Sequence, residues 1–274
     1  MPGVNIELVV TDLDGTLWHD SADVHPRTRV ALAELSSAGI PVLVATGRRV
    51  GSTRGPLRDL GIAPPAVVLN GALGLDLATG ERFHRGGFTS AEAAVVLATY
   101  HRFGVEPCVY VDDDERPVWV STAPSTHPEH LHSFGVDAYT DDLERVVERS
   151  RVLAFGVLGI PETTAVTVGA ALESVATPHV DRDREYGGFT LTTAPTAQSK
   201  WNGVTAFCAR HGLDPSAVLA VGDGPNDLEL LTNAAVAVVP EDAHPAALMS
   251  ADHVIGRASD GGWADVLEVL GLTR

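Results

Sequence analysis

The sequence predicts an α/β fold: a doubly wound, mostly parallel sheet core interrupted by an inserted α+β domain. Three observations carry this expectation. Near both ends of the chain, short unbroken apolar runs alternate with helical stretches, the pattern of strands covered on both faces by crossover helices. Between about residues 86 and 190 that rhythm changes. The chain's 274 residues, 45% of them hydrophobic and 20% charged, leave room for one or two domains with ample core.

Residues 6–10 form the first buried strand. The helix expected over 26–38 has Val30, Leu32, Ala33 and Leu35 as apolar positions, Pro26 in its first turn and Gly39 as its stop. IPVLVAT (40–46) is the second strand, a helix covers 52–60, and PAVVLNG (65–71) is the third strand. Crossovers of this kind are right-handed. Residues 72–85 are expected as an antiparallel hairpin turning at Ala78-Thr79-Gly80. Within the insertion, a helix at 89–103 precedes strands near 107–112 and 117–121. Helices at 141–149 and 162–175 then flank a strand at 152–158, followed by strands near 178–182 and 188–193. The first rhythm resumes with helices at 199–211, 226–233 and 262–270 and strands at 217–222, 235–239 and 251–256. The division expected is 1–83 with 192–274 as the α/β core and 84–191 as the inserted domain.

A formal net charge of −17 argues against a nucleic-acid binder with a broad basic surface. It leaves room for a small phosphorylated ligand, because a divalent cation and local basic groups can reverse the field in a cleft. Cys108 and Cys208 are the only cysteines and form no CxxC, which suits a reducing compartment. No basic-then-apolar leader opens the sequence, and no apolar run approaches the ~20 residues of a membrane span. The expectation is a soluble, cytoplasmic protein, a monomer or homodimer, without membrane partners.

Ligands of open α/β sheets bind beyond the carboxyl ends of the strands. The first strand delivers Asp12, Asp14 and Gly15 there, the second Thr46, Gly47 and Arg48, and the third Asn70 and Gly71. The strand at 217–222 delivers Asp223, Asn226 and Asp227, and QSKWNG puts Lys200 in the first turn of a helix. In extended chain, Asp12 and Asp14 would share a face and repel, so a positive group should lie between them or one should keep its proton. Taken alone the pair could also be a solvated turn. Together the set suits phosphoryl transfer: a carboxylate nucleophile, a second acid to move protons, a hydroxyl and N–H groups to cradle phosphoryl oxygens, a lysine to neutralise them, and acids for Mg²⁺.

DLDGT, ATGR, the lysine of SKWNG and GDGPND resemble the four ordered motifs of the haloacid dehalogenase superfamily of aspartate-nucleophile phosphatases. Asn70-Gly71-Ala72 and the late insertion are similar to its Cof-like subfamily, and the length of the insertion to a C2 cap of type IIB. The resemblance implies a Rossmann-like core with a cap that excludes water and selects the leaving group. It implies Asp12 as nucleophile and Asp14 as general acid/base. Mg²⁺ would be held by Asp12, the backbone carbonyl of Asp14 and Asp223, with Asp227 supporting it through water or orienting Lys200. Thr46 and the Gly47 N–H would bind the phosphoryl group with Lys200 as counter-ion, and Asn226 would touch phosphate or metal. Arg48 and Asn70 would lie nearer the substrate than the chemistry.

The function so implied is Mg²⁺-dependent hydrolysis of a small phosphomonoester, a sugar phosphate or similar metabolite, through an aspartyl phosphate. A phosphomutase or phosphotransferase of the phosphomannomutase type would use the same residues. A non-catalytic module would be expected to lack one of the motif acids. Trp201 stands where the family commonly has glycine, and VVPEDAHP (238–245) departs from the subfamily pattern. REYGGFTL (184–191) is the candidate for a cap loop touching substrate, with a simple turn as the alternative. The histidines of HPEHLH (127–132) match no strong zinc spacing, and DDDE (112–115) reads as a solvated hairpin turn.

Overall fold

The computed structural model describes residues 5–19, 23–183, 185–196 and 198–272. In chain order, β1 (Leu8–Thr11), α1 (Pro26–Ser37), β2 (Val42–Ala45), α2 (Val50–Asp59) and β3 (Pro65–Val68) alternate, and β4 (Leu73–Asp76) and β5 (Arg82–Arg85) form a hairpin. The insertion holds α3 (Ser90–Arg102), β6 (Cys108–Val111), β7 (Val118–Val120), α4 (Pro128–Ser133), β8 (Ala138–Thr140), α5 (Leu143–Arg149), β9 (Val152–Ile160), α6 (Glu162–Leu172), β10 (Thr177–Arg182) and β11 (Phe189–Ala194). Then come α7 (Lys200–His211), β12 (Val218–Val221), α8 (Leu228–Asn233), β13 (Val236–Pro240), α9 (Pro245–Leu248), β14 (His253–Ile255) and α10 (Val266–Val269). Two units result: Met1–Arg85 with Ser199–Arg274, and Gly86–Gln198.

The first unit is built on an eight-stranded sheet of order β14-β13-β12-β1-β2-β3-β4-β5. β14 through β3 run parallel, and the β3–β4 and β4–β5 pairings are antiparallel. β1 lies between β2 and β12, where the strand order turns back on itself, the place where open α/β sheets bind ligands. Its four residues are all buried because helices cover both faces of a parallel sheet. Leu8, Val10, Leu43, Ala45, Val67, Val218 and Ala220 pack against Val204, Phe207 and Cys208 of α7. At roughly 25 cal/mol per Å² of apolar surface removed from water, such burial is the main stabilising term. Gly203 lets α7 approach closely, since a Cβ there would lie 2.5 Å from a methyl of Val67. That approach carries Lys200, one turn earlier on the same helical face, into the sheet's edge.

The second unit has a six-stranded sheet of order β10-β11-β9-β6-β7-β8, antiparallel except for the β7–β8 pair. Val96, Tyr100, Val146, Ala165 and Val168 from its helices share a core with Val109, Phe155, Val157 and Leu191. β11 pairs with β9 and β10, so Phe189–Ala194 belongs to this sheet and the division falls at Gln198 rather than at 191. The first boundary likewise lies at Arg85, not 83, because β5 completes the first unit's sheet.

Several elements differ from expectation. α1 buries Thr28, Ala31 and Leu35, while Val30 is exposed. The third strand ends at Val68, and Leu69 and Asn70 then adopt left-handed φ values of 51° and 52°. The helices expected from 226 and from 262 each begin as a 3₁₀ turn, Pro225–Asp227 and Gly262–Asp265. HPEHLH is the short helix α4, whose His127 side chain caps it and whose buried His130 meets the Tyr110 hydroxyl at 3.3 Å. In DDDE, Asp113 Oδ1 accepts from the amides of Glu115 and Arg116, a turn-type contact. Of the loop expected at 184–191, Arg184 lies outside the described residues. Asp183 Oδ1 accepts there from the amides of Glu185 and Tyr186. Among the described residues, no helix is long and apolar enough to cross a membrane.

Candidate active site

β1 stops at Thr11, and the Asp12 amide donates to Val221 O of β12 at 2.9 Å. Asp12 is thereby fixed at the sheet's carboxyl edge. Leu13 O accepts from the amides of Thr16, Leu17 and Trp18, so the chain turns at once. Gly15 takes φ +78°, and a Cβ on it would lie 2.3 Å from Asp223 Oδ2. Because extended geometry ends before the acids, Asp12 and Asp14 need no shared cation. Each carboxylate faces its own.

Asp12 faces Lys200. The lysine is 1% exposed, with Nζ 3.0 Å from Asp12 Oδ1 and 2.7 Å from Asp227 Oδ1. Asp227, fully buried, also accepts at Oδ2 from the amides of Asp223 and Gly224. Thr16 Oγ1 donates to Asp223 Oδ1 at 3.1 Å. Burial pushes the Asp12 carboxyl well above the usual carboxylate range; Lys200 opposes this, while Asp227, Asp223 and Asp14 reinforce it. Burial also works against the Lys200 ammonium, but Asp12 and Asp227 outweigh it and hold the lysine above its ordinary value. Lys200 is therefore a fixed cation between two acids.

Asp12, Asp223 and Asp227 each offer a carboxylate oxygen, and these atoms all lie within 4.8 Å of one another. The group could hold a metal ion. Among the described residues, Asp12 Oδ1 is buried with no hydrogen-bond partner besides its ion pair with Lys200. An all-oxygen, anionic donor set suits a hard divalent cation such as Mg²⁺. Asp227 has already committed its oxygens to Lys200 and two amides, which leaves Asp12 and Asp223 as the side chains best placed to bind directly.

The Asp14 side chain turns elsewhere. Arg48 grips it with two donors, Nε to Oδ2 and Nη2 to Oδ1, both at 2.6 Å, and Trp18 Nε1 donates to Oδ1 at 2.9 Å. Thr46 is buried, its Oγ1 accepting from the Arg48 amide at 3.2 Å. Asn70, held by its amide on Thr46 O, accepts at Oδ1 from Asn226 Nδ2 at 3.0 Å. The same oxygen would lie 3.1 Å from a Cβ on Gly47. The two asparagines thus tie the second-strand loop to the loop after β12. Sequence reasoning passed over Trp18; its signal was a tryptophan four residues after Asp14, since a buried indole N–H needs an acceptor.

The arrangement brings a buried carboxylate, a fixed lysine, a candidate metal group and a separately held second acid to one edge of one sheet. The chain is 28% identical over 276 residues to a phosphoglycolate phosphatase of Methanopyrus kandleri, covering 96% of both. It is 26% identical to the 5-amino-6-(5-phospho-D-ribitylamino)uracil phosphatase YwtE of Bacillus subtilis, covering 87% of this chain and 88% of the relative. Its fold is similar to that of the subclass IIB sugar phosphatase BT4131, with a TM-score of 0.77 and 21% identity over 97% of this chain and 100% of the other. The sequence pattern of the haloacid dehalogenase-like hydrolases matches residues 9–267, and the chain belongs to that family, among its phosphoric monoester hydrolases.

Proposed function

We propose that the protein hydrolyses a small phosphomonoester in a Mg²⁺-dependent reaction with Asp12 as nucleophile and Asp14 as general acid/base. The observation that carries this reading is Lys200, buried between Asp12 and Asp227 with Asp223 alongside. An Asp12 carboxylate oxygen attacks phosphorus, the bond to the leaving oxygen breaks, and that oxygen takes a proton from Asp14. Water then attacks the aspartyl phosphate and gives its proton to Asp14, releasing phosphate and restoring Asp12. Lys200, Thr46 and the Gly47 N–H hold the phosphoryl oxygens, and Asp227 keeps Lys200 aimed. Mg²⁺, held by Asp12, Asp223 and the Asp14 backbone carbonyl, supplies charge neutralisation for the phosphoryl group when bound. Asn70 and Asn226 act mainly by keeping these loops in register.

The inserted unit, Gly86–Gln198, is assigned as the C2-type cap of this family. The two relatives named above act on different phosphorylated metabolites, which supports the substrate class rather than one compound. Phosphate release screened over sugar phosphates, nucleotides and cofactor phosphates is the test. Activity with Mg²⁺ that EDTA removes and Mg²⁺ restores is the expected result. An isomerised sugar phosphate without free phosphate would mark a mutase and contradict it.

A further inference from the structure

We propose that Arg48 and Trp18 are positioning residues that aim the Asp14 carboxyl group, and that they thereby set how well the enzyme expels poor leaving groups. The proposal rests on reading Asp14 as the general acid. Asp14 sits on the turn after β1 with its side chain 48% exposed, where a carboxylate would ordinarily sample several rotamers. Here three donors from two residues fix it.

The clamp is itself braced. Arg48 Nη1 donates to Ser52 O at 3.2 Å, its amide donates to Thr46 Oγ1, and its guanidinium carbon lies 5.3 Å from the centroid of the Trp18 ring. Trp18 is fully buried; its amide donates to Leu13 O and its carbonyl accepts from the Gly15 amide. A planar arginine fork fixes direction as well as distance, which a lysine does not. With Nε and Nη2 on Asp14 and Nη1 on Ser52 O, Arg48 holds the acid in place. The two carboxylate oxygens are also unequal. Among the described residues, Oδ1 accepts from Arg48 Nη2 and Trp18 Nε1, and Oδ2 from Arg48 Nε.

As the phosphorus–oxygen bond breaks, its electron pair stays on the leaving oxygen, which takes a proton from Asp14. An alkoxide needs that proton; a nitrophenolate hardly does. Arg48→Gln should therefore lower kcat/KM, which reports the steps through leaving-group departure, about 100-fold on glycerol 3-phosphate and only a fewfold on p-nitrophenyl phosphate. Arg48→Lys should recover only part of the loss. In an Asp14→Asn background, Arg48→Gln should cost nothing further on glycerol 3-phosphate, because both changes remove the same aimed proton. Trp18→Phe should repeat the pattern more weakly, and melting temperatures check that each variant is folded. Because Trp18 is buried, Arg48→Gln alone decides if Trp18→Phe fails to fold. Equal losses on both substrates, or additivity with Asp14→Asn, would overturn the clamp. If Asp14→Asn itself fails to discriminate between leaving groups, the general-acid reading falls and the clamp with it; discrimination by Asp14→Asn without discrimination by Arg48→Gln overturns the clamp alone.

Discussion

Gly15 and Asp223 share a space that only a hydrogen atom fits. The glycine takes φ +78°, and an added Cβ would come within 2.3 Å of Asp223 Oδ2. Gly15→Ala should therefore displace Asp223 or the turn, beyond the roughly 1–2 kcal/mol that a left-handed alanine costs by itself. The proposed Mg²⁺ site predicts that Mg²⁺ raises the wild-type melting temperature; Gly15→Ala should lose that rise, together with at least a tenfold fall in activity. An alanine variant with an unchanged Mg²⁺ response would contradict the placement of Asp223 beside that turn. At this scale the sequence was informative about residue types and less so about partners. Asp12, Asp14, Lys200 and Asp223 sit in motifs with fixed spacing. That Asp14 would turn to Arg48 and Trp18, and Asp12 to Lys200, depends on where β1 stops and on contacts across the sheet's edge. The Asn226–Asn70 bond joins residues 156 positions apart, a separation no local pattern records.

At the scale of elements, the buried strands and the α7 helix were legible because unbroken apolar runs and helix-end residues mark them directly. The left-handed pair Leu69–Asn70 was not, since leucine rarely takes positive φ and nothing local announces it. The short α4, β8 and α9 lie below the length at which periodicity is visible. One contact between elements makes a pH prediction. Tyr100 of α3 is buried, its hydroxyl 2.7 Å from Thr193 Oγ1 of β11. Burial pushes the phenol above its usual range, and the bond to Thr193 only partly offsets that. A raised folded-state pKa means the contribution is complete below the unfolded value of about 10 and is lost as pH rises from there through the folded value. Denaturant unfolding followed across that alkaline range should show a steeper loss of stability for the wild-type second unit than for Tyr100→Phe. The phenylalanine variant should also start about 1–3 kcal/mol lower, because Thr193 loses its partner. Equal slopes would show that Tyr100 keeps its ordinary acidity.

At the scale of the whole chain, the sequence changes rhythm near residue 86 and resumes it near 196, and the chain divides into two units. The boundary after β11 was misplaced because a β-strand run carries no sign of which sheet it joins; only pairing with β9 and β10 decides that. The two halves of the first unit supply the site jointly: Asp12, Asp14 and Arg48 precede the insertion, and Lys200, Asp223 and Asp227 follow it. The central claim is that phosphate passes covalently through Asp12. The most direct measurement is borohydride reduction of enzyme quenched during turnover of a phosphomonoester with Mg²⁺, followed by peptide mass spectrometry. An acyl phosphate on Asp12 would appear as homoserine at that position alone, and only when substrate is present. Homoserine at Asp14 or Asp223 instead, or turnover that persists in Asp12→Asn, would contradict the account.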